Sequence, residues 1–468
     1  MFLFTTRFRA NHSGHSAYSL HLTVEKGLFI MQRRVGNLRW GIAVLLGLGV
    51  VINYFDRTNI SVAGVSLSKE YHLSGIEFGF IASAYLWTYT LVQVPVGALL
   101  DRVGVKWMVR IGTIVWSIAT FATAIVSGYG LIILARFLLG IAEAPVFPAA
   151  SKATGYWFPM KERGLATSTF DAAAKFSNVI GVPFVALVVS FYGWRGAFWA
   201  TGILSVLYGF LFWFTYRDPS QSKRLSQPER TYIEEGGAQA DNTAPANTLA
   251  SLGYLLRQPK IWGMALGFAA YGYSFYLFLS WLPTYIQGQL HVSILNSAGI
   301  VAIIWGVATI TDIVIGGWLV DFLIKRGNDP TRVRKTIFII GMVMGIAIIG
   351  AAFTKSLPLI VMWLSISLGG LAFAAPVGWS IPSLIAPKGT VGVVGSIMNF
   401  FNNLAGIIAP LVAGYVLDTT KSFVLNFIIA AVVLVLGILC YLLLLGKIEQ
   451  LPAQFEEKPV GNAAPAAD

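Results

Sequence analysis

Apolar residues run through this chain in blocks too long for a soluble fold. Stretches poor in charge recur at about 40–62, 77–100, 107–126, 130–150, 165–188 and 195–216. After a polar interval they resume at about 261–285, 297–320, 336–354, 357–380, 391–414 and 423–446. Each is close to the ~20 residues that a helix needs to cross a bilayer core. Main-chain N–H and C=O groups cannot stay unpaired in lipid, so each run predicts a helix. The pattern predicts an all-α membrane protein of twelve transmembrane helices in two pseudo-symmetric six-helix bundles, 39–216 and 259–446. The polar stretch 217–258, with Pro219, Pro228 and a Gly/Ala/Asn-rich end, reads as a cytoplasmic linker between them. Residues 1–38 read as a largely disordered extension with no convincing signal peptide, and 447–468 as a tail.

Composition agrees with the pattern. The chain is 56% hydrophobic and 12% charged, against roughly 45–50% and 25% in soluble domains. That excludes a soluble enzyme and a disordered scaffold. The net charge of +12 suggests nucleic acid until it is placed loop by loop. Of 33 Lys and Arg residues, 25 fall in the termini and even-numbered loops, and only Lys69, Arg195, Lys355 and Lys421 in the odd ones. Basic residues crowd cytoplasmic loops whatever a membrane protein does. The split predicts both termini in the cytoplasm, on a protein of the inner membrane, and removes the case for a nucleic-acid partner.

The single cysteine, Cys440, excludes an intramolecular disulfide or a cysteine-ligated metal, and all five histidines lie outside the runs. No cofactor or metal is called for. An internal repeat is visible instead. Gly97-Ala-Leu-Leu-Asp101 closes the second run, and Gly317-Trp-Leu-Val-Asp321 the eighth. Gly181 and Pro183 have counterparts in Gly406 and Pro410, and Gly140, Pro145 and Pro148 in Gly370, Pro376 and Pro382. Duplicated halves of this kind place a binding site at midplane between them.

Ionisable groups inside a bilayer are costly and mark function by default. The runs hold Asp56 and Arg57, Arg136 and Glu143, Asp171 and Lys175, and Asp312. Arg136 and Glu143 are seven residues apart, about 10 Å along one helix, so each must find a partner elsewhere; Asp56 and Arg57 are the obvious choices. An arginine fork holds a carboxylate with paired hydrogen bonds, and a buried carboxylate can take up and release a proton. Together they describe a proton-coupled anion site, whereas a neutral network that only locks two helices is the plainer reading. Asp171 and Lys175 have the i,i+4 spacing of a helix salt bridge; unpaired, Lys175 would suit an anion with two charges. Asp312 reads as a packing residue or a coupling accessory. Tyr54, Tyr85, Tyr89, Gln93, Tyr271, Tyr273 and Tyr276 add polar aromatic and amide groups, and Trp379, Ser380, Asn399, Asn402 and Asn403 add hydroxyl-binding chemistry in the second half.

Gly97-x-x-x-Asp101-Arg102-x-Gly104-x-Lys106 resembles the signature loop of the major facilitator superfamily, with a partial copy at Gly317 and Asp321. Asn53-Tyr54-Phe55-Asp56-Arg57, Arg136 through Gly140 and Glu143 to Pro145 and Pro148, Trp157-Phe158-Pro159 with Glu162-Arg163, and Gly193-Trp194-Arg195-Gly196 are similar to its anion:cation symporter branch. Bacterial members carry sugar acids and related organic anions. The resemblance, from about 38 to 446, implies that Arg57 contacts the substrate carboxylate, with Tyr54 and Tyr89 beside it. It implies that Asp56 and Glu143 carry protons, that Arg136 tunes Glu143, and that Trp379 and Asn399 line the pocket. It makes Gly97, Asp101, Arg102 and Asp321 a gate, with the glycines allowing close helix approach. Where sugar-acid carriers tend to have Asn-Ser-Ala-Gln, this chain reads Asp171-Ala-Ala-Ala174 and then Lys175, which would suit a dicarboxylate or an aromatic acid. The expected protein is a non-enzymatic, monomeric proton:organic-anion symporter working by alternating access in the lipid bilayer. A receptor that binds the same anion without moving it is the alternative from another class.

Overall fold

The computed structural model describes residues 36–159, 162–238, 248–387 and 391–452. The extension expected to be disordered thus lies outside the described residues up to 35, and the tail beyond 452. The first half contains α1 (Leu38–Tyr71), α2 (Gly75–Val103), α3 (Val105–Ile125), α4 (Tyr129–Glu143), α5 (Val146–Trp157) and α6 (Arg163–Thr215). After a short turn come α7 (Gln227–Glu235) and α8 (Thr248–Leu255) in the linker. The second half contains α9 (Pro259–Gly288), α10 (Ile294–Thr311), a π-helical stretch (Asp312–Leu319) and α11 (Val320–Lys325). It ends with α12 (Pro330–Gly345), α13 (Ile348–Ala352), α14 (Leu357–Ile385), α15 (Val391–Thr420) and α16 (Val424–Leu443).

Among the described residues, ten helical segments are long and apolar enough to cross a membrane. One of them, α6, has 53 residues, roughly 80 Å at helical rise and more than twice a bilayer core. It folds back at Gly193, whose φ of 70° and ψ of 176° are non-helical and need a glycine. The reversal is visible in packing: Asn178 accepts from Thr58 at 3.2 Å, while Thr201 accepts from the neighbouring Asn59 at 2.7 Å. Residues before and after Gly193 therefore meet the same level of α1. Glu70 at the end of α1 secures the turn, accepting from Trp194 Nε1 and Arg195 at 2.6 Å each. With α6 counted twice and the 29-residue α2 added, twelve crossings result, six in each half.

Local chemistry explains the breaks. Ser74 and Glu77 form a capping box at the start of α2, and Asp329 caps α12 through the Arg332 N–H at 2.7 Å. Pro145 divides α4 from α5 because a prolyl nitrogen cannot donate to the helix ladder. Inside α3, Thr113, Ser117, Thr120 and Thr123 each donate to the carbonyl four residues back, at 2.6, 2.7, 3.1 and 2.9 Å. Those bonds satisfy hydroxyls that the apolar interior would otherwise strand.

The first bundle packs α1 and α3 against α6 and α2 against α4; the second packs α9 against α15 and α16, and α14 against α10 and α12. The bundles meet along α2–α15, α6–α10 and α1–α9. Their bonds run from midplane to the end where α1 finishes. There the Gly75 and Ile76 N–H groups donate to Asp418 at 2.6 and 2.8 Å, Thr284 donates to the Ser61 carbonyl at 2.9 Å, and Phe78 lies edge-on to Trp281 at 4.8 Å. The outer faces carry exposed Leu91, Phe191, Phe214 and Leu443, while Asp56, Arg57, Arg136, Glu143, Lys175 and Asp312 are buried. This arrangement, polar inside and apolar outside, belongs to a multi-pass membrane protein.

The described part of the linker that contains α7 docks on the start of α1. Glu229 of α7 accepts from the Leu38 and Arg39 N–H groups at 3.2 and 3.1 Å, capping α1. Arg39 pairs with Glu162 at 2.8 Å and with Glu229 at 3.1 Å.

The glycines differ in what surrounds them. A Cβ at Gly97 would meet nothing within 4 Å, and one at Gly317 only its own helix at 3.9 Å. Neither permits a close approach in this conformation. Gly140 does, since its Cβ would collide with the Tyr85 carbonyl of α2. Gly140→Ala is therefore expected to lower the melting temperature in detergent, overpacking costing ~1–3 kcal/mol. Gly97→Ala should leave it unchanged.

Candidate functional site

The buried charges gather where the bundles meet. Arg57, in the middle of α1, directs Nε to Glu143 Oε2 at 3.1 Å. Glu143 closes α4 just before the Pro145 break, so the helix ends where its carboxylate is needed. The guanidinium lies over three phenol rings, with Cζ 4.6 Å from Tyr54, 5.0 Å from Tyr85 and 5.5 Å from Tyr89. Such faces attract a cation, the more so when it is desolvated. Tyr276 of α9 reaches the same cluster from the opposite bundle. Among the described residues, Arg57 Nη2 and Glu143 Oε1 have no hydrogen-bond partner. The pair thus neutralises its charge while keeping a donor and an acceptor uncommitted.

Arg136 and Asp56 form a second layer. The Arg136 guanidinium lies 5.0 Å from the Tyr85 ring centre, on the ring that also carries Arg57. Its Nη1 donates to the main-chain carbonyl of Asp56 at 3.3 Å, not to the Asp56 carboxylate. That carboxylate turns away from the bundle interface and accepts from Ser205 at 3.4 Å, with Thr120 and Thr201 beside it. The expectation that Arg136 finds its partner at Asp56 holds for the residue but not for the charged group. The reason is helical: consecutive residues point about 100° apart, so Arg57 and Asp56 cannot face the same neighbour.

Lys175 anchors a separate cluster. Its Nζ lies 3.1 Å from Asp171 Oδ2 and 2.9 Å from Asp312 Oδ2. The i,i+4 pair is formed, and Asp312, weighed above as packing or accessory, proves to be an ion-pair partner that crosses between bundles. Tyr271 of α9 adjoins this cluster.

The second-half candidates divide. Asn403 accepts from Tyr276 and donates to Gln93 of α2, both at 3.3 Å, and so joins the bundles. Asn402 is buried against Gly272. Asn399, one turn earlier, is half-buried. Trp379 is 42% exposed and lies edge-on to Phe268 at 5.1 Å. Of the gate, Arg102 and Asp321 are exposed and Asp321 is near Arg334; the Asp101 side chain lies outside the described residues. Tyr85 and Tyr276 matter more here than the sequence reading gave them. Their signal was present as tyrosines spaced along α2 and α9, but only packing shows that both face Arg57. A groove of about 530 Å³ lined by Leu266, Tyr273, Ile408 and Cys440 is apolar and holds none of these charges.

The comparisons with known proteins agree with this architecture. A sequence profile of the Major Facilitator Superfamily matches residues 46–328 and 329–467. An uncharacterized transporter of Bacillus subtilis (strain 168), YybO, is 43% identical over 429 residues, covering 91% of this chain and 99% of its own length. The "Probable galactarate/D-glucarate transporter GarP" of Escherichia coli (strain K12) is 33% identical over 430 residues, covering 89% and 96%. A bacterial homologue of the human lysosomal transporter Spinster superposes with a TM-score of 0.70 at 18% identity, over 87% of this chain and 97% of that one.

The Arg57–Glu143 pair also yields a stability prediction. A buried carboxyl left alone can take a proton, but a guanidinium cannot shed its charge. Glu143→Ala should therefore destabilise the protein more than Arg57→Ala, by up to about 3–5 kcal/mol. The double variant should recover part of that loss. Thermal unfolding of the three variants in detergent checks the order.

Proposed function

Because the chain belongs to the Major Facilitator Superfamily, we propose that it imports an organic anion, a sugar acid or related carboxylate, by proton symport through alternating access. The observation that carries this reading is the buried Arg57–Glu143 pair, ringed by tyrosines from α1 and α2 and faced by Tyr276 from the other bundle. Arg57 binds the substrate carboxylate in exchange for Glu143, and Tyr54, Tyr89 and Asn403 add hydroxyl and amide contacts. Asn399 and Trp379 extend the wall of the cavity on the second-half side. Glu143 released from Arg57 takes a proton, and Arg136, which shares the Tyr85 ring with Arg57, holds the local charge near balance. Asp56 is the second proton carrier, lodged among Ser205, Thr120 and Thr201.

With both termini in the cytoplasm of an inner-membrane protein, the end sealed by Asp418 and Trp281 faces outward. The site then opens toward the cytoplasm, where the loop of Gly97, Asp101, Arg102 and Asp321 closes in the opposite state. Both bundles of one chain enclose the site, so a monomer suffices. Substrate affinity and protonation are linked reciprocally.

Uptake of sugar acids into proteoliposomes under an inward-directed proton gradient is the test. Accumulation is expected only with the gradient; accumulation independent of it overturns the coupling, and binding without counterflow identifies a receptor. For Arg57→Ala, loss of anion binding with a monodisperse, folded protein is expected in a thermal-shift titration.

A further inference from the structure

The mechanism above leaves the Lys175 cluster unused. Lys175 is the one lysine with a buried side chain among the described residues. It is shared by Asp171, on its own helix, and Asp312, on the opposite bundle. The side chains of Lys175 and Asp312 are 5% and 4% exposed, whereas that of Asp171 is 28% exposed, so Asp171 is the accessible member of the cluster. A lysine offers three N–H donors, of which two carboxylate contacts occupy at most two.

The position relates this cluster to Arg57. The Thr58–Asn178 hydrogen bond sets the register of α1 against the rising half of α6. In that register Lys175 and Arg57 lie within about one helical turn of the same depth. Tyr54 links them, carrying Arg57 on its ring face at 4.6 Å while remaining in electrostatic reach of Lys175 and Asp171. Two buried cations at similar depth, bridged by one tyrosine, match a molecule with an acidic group at each end.

We propose that Lys175 is a second anion subsite, guarded by Asp312 of the opposite bundle, that selects substrates carrying two acidic groups. This rests on the reading that Arg57 holds an organic anion between the bundles. The distal acid group replaces Asp312 on Lys175, and Asp312, left buried without its cation, takes up a proton. That exchange keeps the ammonium paired and releases one tie between the bundles. Asp312 opens the π-helical stretch Asp312–Leu319, an irregular segment of the kind that marks functional positions and tolerates local rearrangement.

The test uses a matched pair: an aldarate, with a carboxylate at both ends, and the aldonate of the same stereochemistry, in which one end is a hydroxymethyl group. Binding to the full-length protein in detergent is measured by calorimetry. The wild-type protein is expected to prefer the aldarate by ~10–100-fold, as a charge-assisted contact supplies. Lys175→Gln should remove that preference while retaining the aldonate affinity. Asp312→Asn, which leaves Lys175 its Asp171 partner, should tighten the aldarate alone and serves where Lys175→Gln does not fold. Equal affinity of the wild-type protein for both ligands overturns the subsite, as does an equal loss of both in Lys175→Gln. Binding of neither ligand by the wild-type protein overturns instead the sugar-acid reading on which the inference rests.

Discussion

Arg57 carries a charge it cannot shed, at a depth where water does not solvate it, and the centre of the molecule is arranged around that constraint. A guanidinium in an apolar interior must be paired and surrounded by electron-rich faces or the fold is lost. Glu143 supplies the charge, and Tyr54, Tyr85 and Tyr89 supply the faces. Each requirement reaches outward. Glu143 is delivered by a helix that stops at Pro145, and Tyr85 by a helix that can approach only because Gly140 has no side chain.

The same logic governs the rest of the polar interior. Asp56 is solvated by hydroxyls of α3 and the returning half of α6, and Lys175 by two carboxylates. The Asp56 setting depends on the reversal at Gly193, which lays the two arms of α6 along one level of α1. Irregular backbone thus sits beside the charges, in the break before Pro145 and the π-helical turn at Asp312. The two kinds of polar contact between bundles also differ. At the sealed end they join the Gly75 and Ile76 N–H groups to Asp418 and the Ser61 carbonyl to Thr284. At midplane they are side-chain pairs, Asn403–Gln93 and Lys175–Asp312.

Much of the fold was legible in the chain because a bilayer demands apolar runs of fixed length, and twelve such runs leave little freedom. The helix limits extend beyond the expected spans, by more than two turns at the far end of Leu38–Tyr71 against 40–62, since polar helix ends continue beyond the core. The repeat at Gly97 and Gly317 marks corresponding helix ends in the two halves, and in this conformation neither glycine lies against another helix. A short motif records where a helix ends, and only its neighbours decide what touches it. The site was legible as a set of expensive residues. Its pairing was not, because partners lie 86 residues apart for Arg57 and Glu143 and 137 for Lys175 and Asp312.

By itself the sequence determined the class of protein, its number of crossings and the identity of the charges to be reconciled, because the solvent penalty for each is a property of the residue. Tertiary structure decided which carboxylate meets which cation, that Arg136 meets the carbonyl and not the carboxylate of Asp56, and that Asp312 ties one bundle to the other. Those outcomes depend on helix rotation and register, which no residue specifies alone and only the packed bundles fix.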